Sequence, residues 1–293
     1  MARTEILTAD DSVRGPHGPV PVRWYFPPVG PTSRGAVRAT GTARATRATP
    51  PIVWVHGGGF FRGSLDLPET HEVASSLAAE GFRVVTVDYR LVSPTPFRRA
   101  HPFTGASAVR YPIPLDDVVA VVSEIQRENP GGVILGGASA GACLAAGAVL
   151  RLADTGNPPL AGVFFGYGFF HAELPERSPD LAARVRGHRP VTHLPRFLDI
   201  VNRNYAGTPA ALLEPHAFAG GHPLDRFPPT LMLDADRDFM RASGAQFAKE
   251  LEAAEIRVDY HVLRDAAHAF LNRPKDPAYA EGIRLISEWA KRL

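Results

Sequence analysis

Cysteine is nearly absent from this chain. A single one, Cys143, stands among 293 residues, so no intrachain disulfide can form. Such usage fits a reducing compartment, and Cys143 itself reads as a small buried hydrophobe. Long apolar runs are missing as well. No stretch of about 18 or more apolar residues occurs, so no membrane-spanning helix is expected. Neither charge is in excess: 32 basic residues face 30 acidic ones, a formal net charge of +2. That balance excludes the strongly basic footprint of a nucleic-acid binder. Met1 to Asp11 lacks an apolar segment and carries acids early, so no secretory leader is expected and the cytoplasm is the predicted location. There is no internal repeat. The histidines His188, His193, His216 and His222 lack metal-ligand spacing, and neither a metal nor another cofactor is expected. A homodimer is left open.

What is present is an ordinary globular balance, 45% hydrophobic and 21% charged. The chain is long enough to bury a full core without covalent staples. From Ile52 onward, strands alternate with helices. Strands are predicted at Ile52 to Val55, Phe82 to Val87, Val133 to Leu135, Leu160 to Phe165, Thr230 to Leu233 and Ile256 to Leu263. Helices are predicted at Pro68 to Glu80, Leu115 to Glu128, Ala140 to Ala153, Phe239 to Glu255 and Pro277 to Leu293. Several strands are apolar on both faces, as in a mainly parallel sheet covered by helices on either side. Glu5 to Thr8 and Val20 to Phe26, joined through the turn-rich Arg14 to Pro19, add an antiparallel N-terminal edge. The fold class is α/β, in one domain spanning 1–293. The stretch 30–50, almost all Gly, Ala, Thr, Arg and Pro, reads as a flexible basic loop. Two further stretches, about 92–114 and 170–229, follow predicted strand ends. α/β sheets carry their binding sites there, so both read as lid or pocket insertions.

Four segments carry chemistry. Gly137-Ala-Ser-Ala-Gly141 joins a predicted strand to a predicted helix. A nucleophile on so sharp a turn needs small neighbours, which makes Ser139 the candidate nucleophile. A serine in a glycine-rich turn or helix cap is the plainer alternative. Gly105-Ala-Ser-Ala108 lacks the closing glycine. His56-Gly-Gly-Gly-Phe60 follows the strand Ile52 to Val55. Its glycine N–H groups, with that of Ala140, can face a developing oxyanion. A phosphate loop would want Lys-Ser or Lys-Thr at the next helix start, which is absent. His56 reads as a brace for the loop. His268 follows the last predicted strand, where the base belongs in a Ser, Asp, His chain order. Asp234, Asp236 and Asp238 crowd one strand end. One of them should orient His268, and the other two are expected to be solvated loop carboxylates. Local sequence does not choose among the three.

These segments resemble the hormone-sensitive-lipase-like branch of the α/β-hydrolases, whose bacterial members are mostly carboxylesterases. The resemblance runs from about Val20 to the C-terminus, excluding the two irregular stretches. It rests on His56-Gly-Gly-Gly59, on Asp88-Tyr-Arg-Leu91, on the helix start at Tyr111 to Asp117, and on the serine turn. It implies an α/β-hydrolase fold. It further implies a triad of Ser139, His268 and Asp238, with Asp238 chosen because Asp238-Phe-Met-Arg241 matches the family register. Oxyanion donors are implied at Gly58, Gly59 and Ala140. The implied activity is hydrolysis of small to medium acyl esters, with a small-molecule ester as the partner. Acyl transfer or peptide hydrolysis by the same triad, and a non-catalytic ligand-binding protein on this fold, are the competing readings. The sequence departs from the family at Ala138 and Ala142, and an insertion at Val92 to Arg110 replaces Ala-Pro-Glu. Few residues precede the first strand, where the family carries two cap helices. Any cap is therefore expected from the two insertions. The insertion's arginines read first as a solvated lid face, with a hold on a substrate carboxylate as the alternative, and Phe164 to Phe170 reads first as core, with a pocket wall as the alternative.

Overall fold

Apolar runs with both faces buried become the central strands. The computed structural model describes residues 6–28, 49–93, 109–186 and 195–293. Among them, eight strands form one sheet: β1 (Leu7–Gly15), β2 (Gly18–Phe26), β3 (Ile52–Val55), β4 (Val84–Val87), β5 (Ile134–Ala138), β6 (Gly162–Gly166), β7 (Thr230–Arg237) and β8 (Val258–Ala267). Their order is β1-β2-β4-β3-β5-β6-β7-β8. The β1–β2 and β2–β4 pairs are antiparallel, and every pair from β4 to β8 is parallel.

Alternation along each strand divides the core into two layers. Val53, Val55, Leu135, Val163 and Phe165 pack in one layer with α2 (Ile113–Glu128), α3 (Ala140–Asp154) and α6 (Arg241–Ala253). Ile52, Trp54, Ile134, Phe164 and Leu231 pack in the other with α1 (Pro68–Ala79) and α7 (Pro277–Ala290). Two-sided burial explains why these strands read as continuous apolar runs. The 170–229 stretch contributes α4 (Pro179–Arg184) and α5 (Pro195–Ala206).

Three expectations need correction. The first strand is not Glu5 to Thr8; β1 runs to Gly15 and meets β2 across a two-residue turn, Pro16-His17. Most of β1 is exposed, so its ladder with β2 holds it and no apolar alternation announces it. β7 does not stop at Leu233, because Asp234 and Asp236 are themselves buried within it. β8 runs on to Ala267, so His268 leaves the strand directly. The expected loop at 30–50 falls outside the described residues except at 49 and 50. So do residues 94–108 with Arg98, Arg99, His101 and Gly105-Ala-Ser-Ala108, and residues 187–194 with His188 and His193. Among the described residues no helix is long and apolar enough to cross a membrane.

Candidate active site

Ser139 sits between the last residue of β5 and the first of α3 with φ 51° and ψ −118°. L-residues rarely adopt such a backbone, and it persists only where the surroundings enforce it. Here the surroundings are two backbones in close approach. A Cβ on Gly137 would lie 2.3 Å from the Gly141 carbonyl oxygen, and one on Gly141 would lie 2.2 Å from that of Val55. Both glycines therefore let α3 drop onto β5 and β3. The Ser139 N–H donates to Gly166 O at 2.9 Å, which anchors the turn to β6.

Two loops from the same end of the sheet reach the serine. His268 Nε2 lies 3.0 Å from Ser139 Oγ, and His268 Nδ1 lies 2.5 Å from Asp238 Oδ2. With the ring proton on Nδ1 facing the carboxylate, Nε2 is left to accept the Ser139 O–H. Asp238 Oδ1 accepts the Met240 N–H at 3.0 Å, which fixes the carboxylate's orientation. All three side chains are buried: Ser139, His268 and Asp238 are 6%, 5% and 2% exposed. The Tyr167 ring meets His268 edge-on, with centroids 5.0 Å apart.

The other two aspartates are not solvated, contrary to expectation. Asp236 pairs with Arg184 and Arg241 and accepts the Asp265 N–H at 3.0 Å. The Arg184 guanidinium holds it below the usual carboxylate range. Asp234 is fully enclosed and accepts the Tyr260 hydroxyl at 2.9 Å. Burial pushes its pKa from 3.8 up to about 8. Between those values the folded protein keeps a proton that the unfolded chain has lost, so rising pH favours unfolding. Asp234→Asn carries no titrating group and should remove this dependence. Its melting temperature relative to the parent is expected to climb steadily from about pH 5 to about pH 8. A difference that stays flat over that range would mean Asp234 is ionised in the fold.

The glycine loop is held from below by a residue that sequence reading missed. Glu69, in the first turn of α1, is buried. It accepts the Gly57 N–H at 2.6 Å, Asn272 Nδ2 at 3.0 Å and the Tyr167 hydroxyl. Burial raises its pKa, and the donated hydrogen bonds oppose that. Gly57 is thereby committed, whereas among the described residues the N–H groups of Gly58, Gly59 and Ala140 have no acceptor. Gly58 has φ +113°, and an added Cβ would lie 1.9 Å from Arg62 O, so glycine is required there. His56 braces the loop as expected: its Nδ1–H donates to Gly57 O at 2.8 Å, its ring stacks on Tyr89, and burial pushes its pKa down to about 4. Tyr89 also donates to His56 O at 3.0 Å, and Arg90 pairs with buried Asp117, so the Asp88-Tyr-Arg-Leu91 segment ties β4, the loop and α2 together. Glu69→Gln sets an amide N–H against one of three donors while keeping the shape. It is expected to lower turnover about 10- to 100-fold, the worth of one hydrogen bond to a charged group, with KM little changed. A loss confined to KM would show that Glu69 does not hold the loop. The signal was present in the 69, 73, 77 spacing, which puts a carboxylate in line with Val73 and Leu77 on a buried helix face.

Ser139, His268, Gly58 and Gly59 line one cavity of about 660 Å³. Its apolar wall includes Phe61, Phe169, Phe197, Leu198, Val201 and Met240. Phe197, Leu198 and Val201 belong to α5, so the 170–229 stretch does reach the site. Of the aromatic run only Phe169 lines this cavity; Phe164, Phe165 and Phe170 are core. Arg110 donates to the carbonyls of Ser93 and Val109. Among the described residues, no group of three or more His, Cys, Asp or Glu is placed to hold a metal ion.

A family model described as alpha/beta hydrolase fold matches residues 52–272. Esterase LipI of Mycobacterium tuberculosis is 28% identical over 279 residues, spanning 91% of this chain and 76% of that protein. A hyperthermophilic esterase from the archaeon Pyrobaculum calidifontis superposes with a TM-score of 0.77 at 24% identity, over 98% of this chain and 85% of its own. A crystal structure of an esterase from the bacterial hormone-sensitive lipase family superposes with a TM-score of 0.75 at 22% identity, over 99% and 85%.

Proposed function

Because this chain belongs to the α/β-hydrolase fold family, we propose that it hydrolyses carboxylic esters through a Ser139, His268 and Asp238 triad. The observation that carries this reading is the buried hydrogen-bond relay from Asp238 through His268 to Ser139, opening on a cavity beside two glycines with unused N–H groups. In the proposed cycle His268 Nε2 takes the Ser139 proton as Oγ attacks the ester carbonyl. The carbonyl oxygen becomes an oxyanion and rests on the N–H groups of Gly58, Gly59 and Ala140. The C–O bond to the alcohol breaks, and His268 returns the proton to the leaving oxygen. Water, deprotonated by His268, then attacks the acyl-enzyme and releases the acid. Asp238 keeps the imidazole in the required tautomer and stabilises its cationic form without taking a proton. The volume and apolar wall of the cavity support small to medium acyl chains. The relation to an esterase over 91% of the chain supports the ester class.

The experiment is turnover of 4-nitrophenyl esters of graded acyl length by the wild type and by Ser139→Ala. Hydrolysis that depends on Ser139 and falls off for acyl chains too long for the cavity is expected. Equal turnover by both proteins would remove the proposal.

A further inference from the structure

Two arginines stand in the lining of the catalytic cavity with Ser139 and His268: Arg62 and Arg273. Arg62 leaves the glycine loop. Its N–H donates to Gly58 O at 3.2 Å, and its stem lies against Gly58, where an added Cβ would come within 3.0 Å of Arg62 Cγ. Arg273 closes the short turn after His268. Its N–H donates to Phe270 O at 3.0 Å, and its neighbour Asn272 holds Glu69.

Neither guanidinium has a carboxylate partner among the described residues, although Arg23, Arg90, Arg184, Arg241 and Arg284 all do. Acids close to the two arginines in sequence are engaged elsewhere. Asp66 pairs with Arg23 at 2.7 Å, Glu69 is tied under the glycine loop, and Asp276 accepts the Ala278 N–H at the start of α7. The rest of the wall is mostly apolar. An apolar cavity lined also by two arginines that have no carboxylate partner among the described residues suits a substrate that is apolar along its length and anionic at one point. Guanidinium matches the planar carboxylate by paired N–H donors.

We propose that Arg62 and Arg273 form a subsite for a carboxylate, so that the preferred substrates are esters bearing a free carboxylate on their acyl or alcohol half. This rests on the ester-hydrolase reading above and narrows its substrate class. Exposed ion pairs are individually weak, so the two arginines together should yield a preference of about tenfold. Salt should erode it, because both arginines are exposed to solvent.

The test is kcat/KM on two matched pairs. One is 4-nitrophenyl hydrogen glutarate against 4-nitrophenyl hexanoate, with the charge on the acyl half. The other is 4-carboxyphenyl butyrate against 4-carbamoylphenyl butyrate, with the charge on the alcohol half. The wild type is expected to favour the charged member of at least one pair, and the pair concerned tells which half the arginines meet. In Arg62→Gln/Arg273→Gln that ratio should fall about tenfold. In Arg62→Lys/Arg273→Lys part of it should return, still sensitive to salt. A wild-type ratio no different from that of the double glutamine variant on both pairs overturns the subsite. If neutral esters are still cleaved in a Ser139-dependent way, only this inference falls. If no ester is cleaved, both readings fall together.

Discussion

Ser139→Ala is expected to lower ester turnover by about 10⁶-fold, the scale on which serine hydrolases lose turnover when the nucleophile is removed. The residual rate would come from cavity binding and the oxyanion donors alone. Folding should be spared. The substitution removes one oxygen and one hydrogen bond, 3.0 Å to His268, and leaves Gly137 and Gly141 to hold the turn. KM should change little, because the cavity wall is untouched. His268→Ala should cost nearly as much, and the double variant little more, because the two groups act as one unit. Steady-state kinetics with a 4-nitrophenyl ester, alongside thermal melting, checks all three proteins. A folded Ser139→Ala protein with near-parental turnover would leave the relay without a catalytic role.

Asp238→Asn is expected to lower turnover by about 10⁴-fold. Asparagine keeps the size of the side chain. Its amide can meet His268 Nδ1 as a donor, which favours the tautomer with the proton on Nε2. That tautomer cannot accept the Ser139 proton. The neutral amide also fails to stabilise the imidazolium. Asp236→Asn provides the contrast. Asp236 binds Arg184, Arg241 and the Asp265 N–H, and makes no hydrogen bond to His268. Its replacement should weaken the link between β7 and α4 and lower the melting temperature, while turnover stays within about tenfold of the parent. The reverse ranking of the two variants would move the acid to Asp236.

Ser139 and His268 were legible in the sequence because short-range cues coincide there. A glycine-flanked serine between strand and helix, and a histidine after the last strand, can each be placed by chain order. Asp238 was not legible from local sequence. Three aspartates within five residues differ only in what they meet across the fold: Tyr260 for Asp234, Arg184 for Asp236, His268 for Asp238. The family register chose among them. Glu69 escaped for the same reason, since its partners Gly57, Tyr167 and Asn272 come from three separate segments. The parallel strands were readable because burial on both faces leaves continuous apolar runs. β1 was cut short because its exposed, polar residues are held by β2 and not by the core. The two arginines that line the cavity, Arg62 and Arg273, follow the glycine loop and His268, and neither carries a motif that marks it in the sequence.

The most direct measurement is the intact mass of the protein after exposure to a fluorophosphonate, followed by peptide mapping. One phosphonyl group on Ser139, no adduct on Ser139→Ala, and loss of ester turnover in step with labelling are the predicted results. An unlabelled Ser139 in protein that still cleaves esters, or an adduct whose formation leaves turnover intact, would contradict the assignment of Ser139 as the nucleophile.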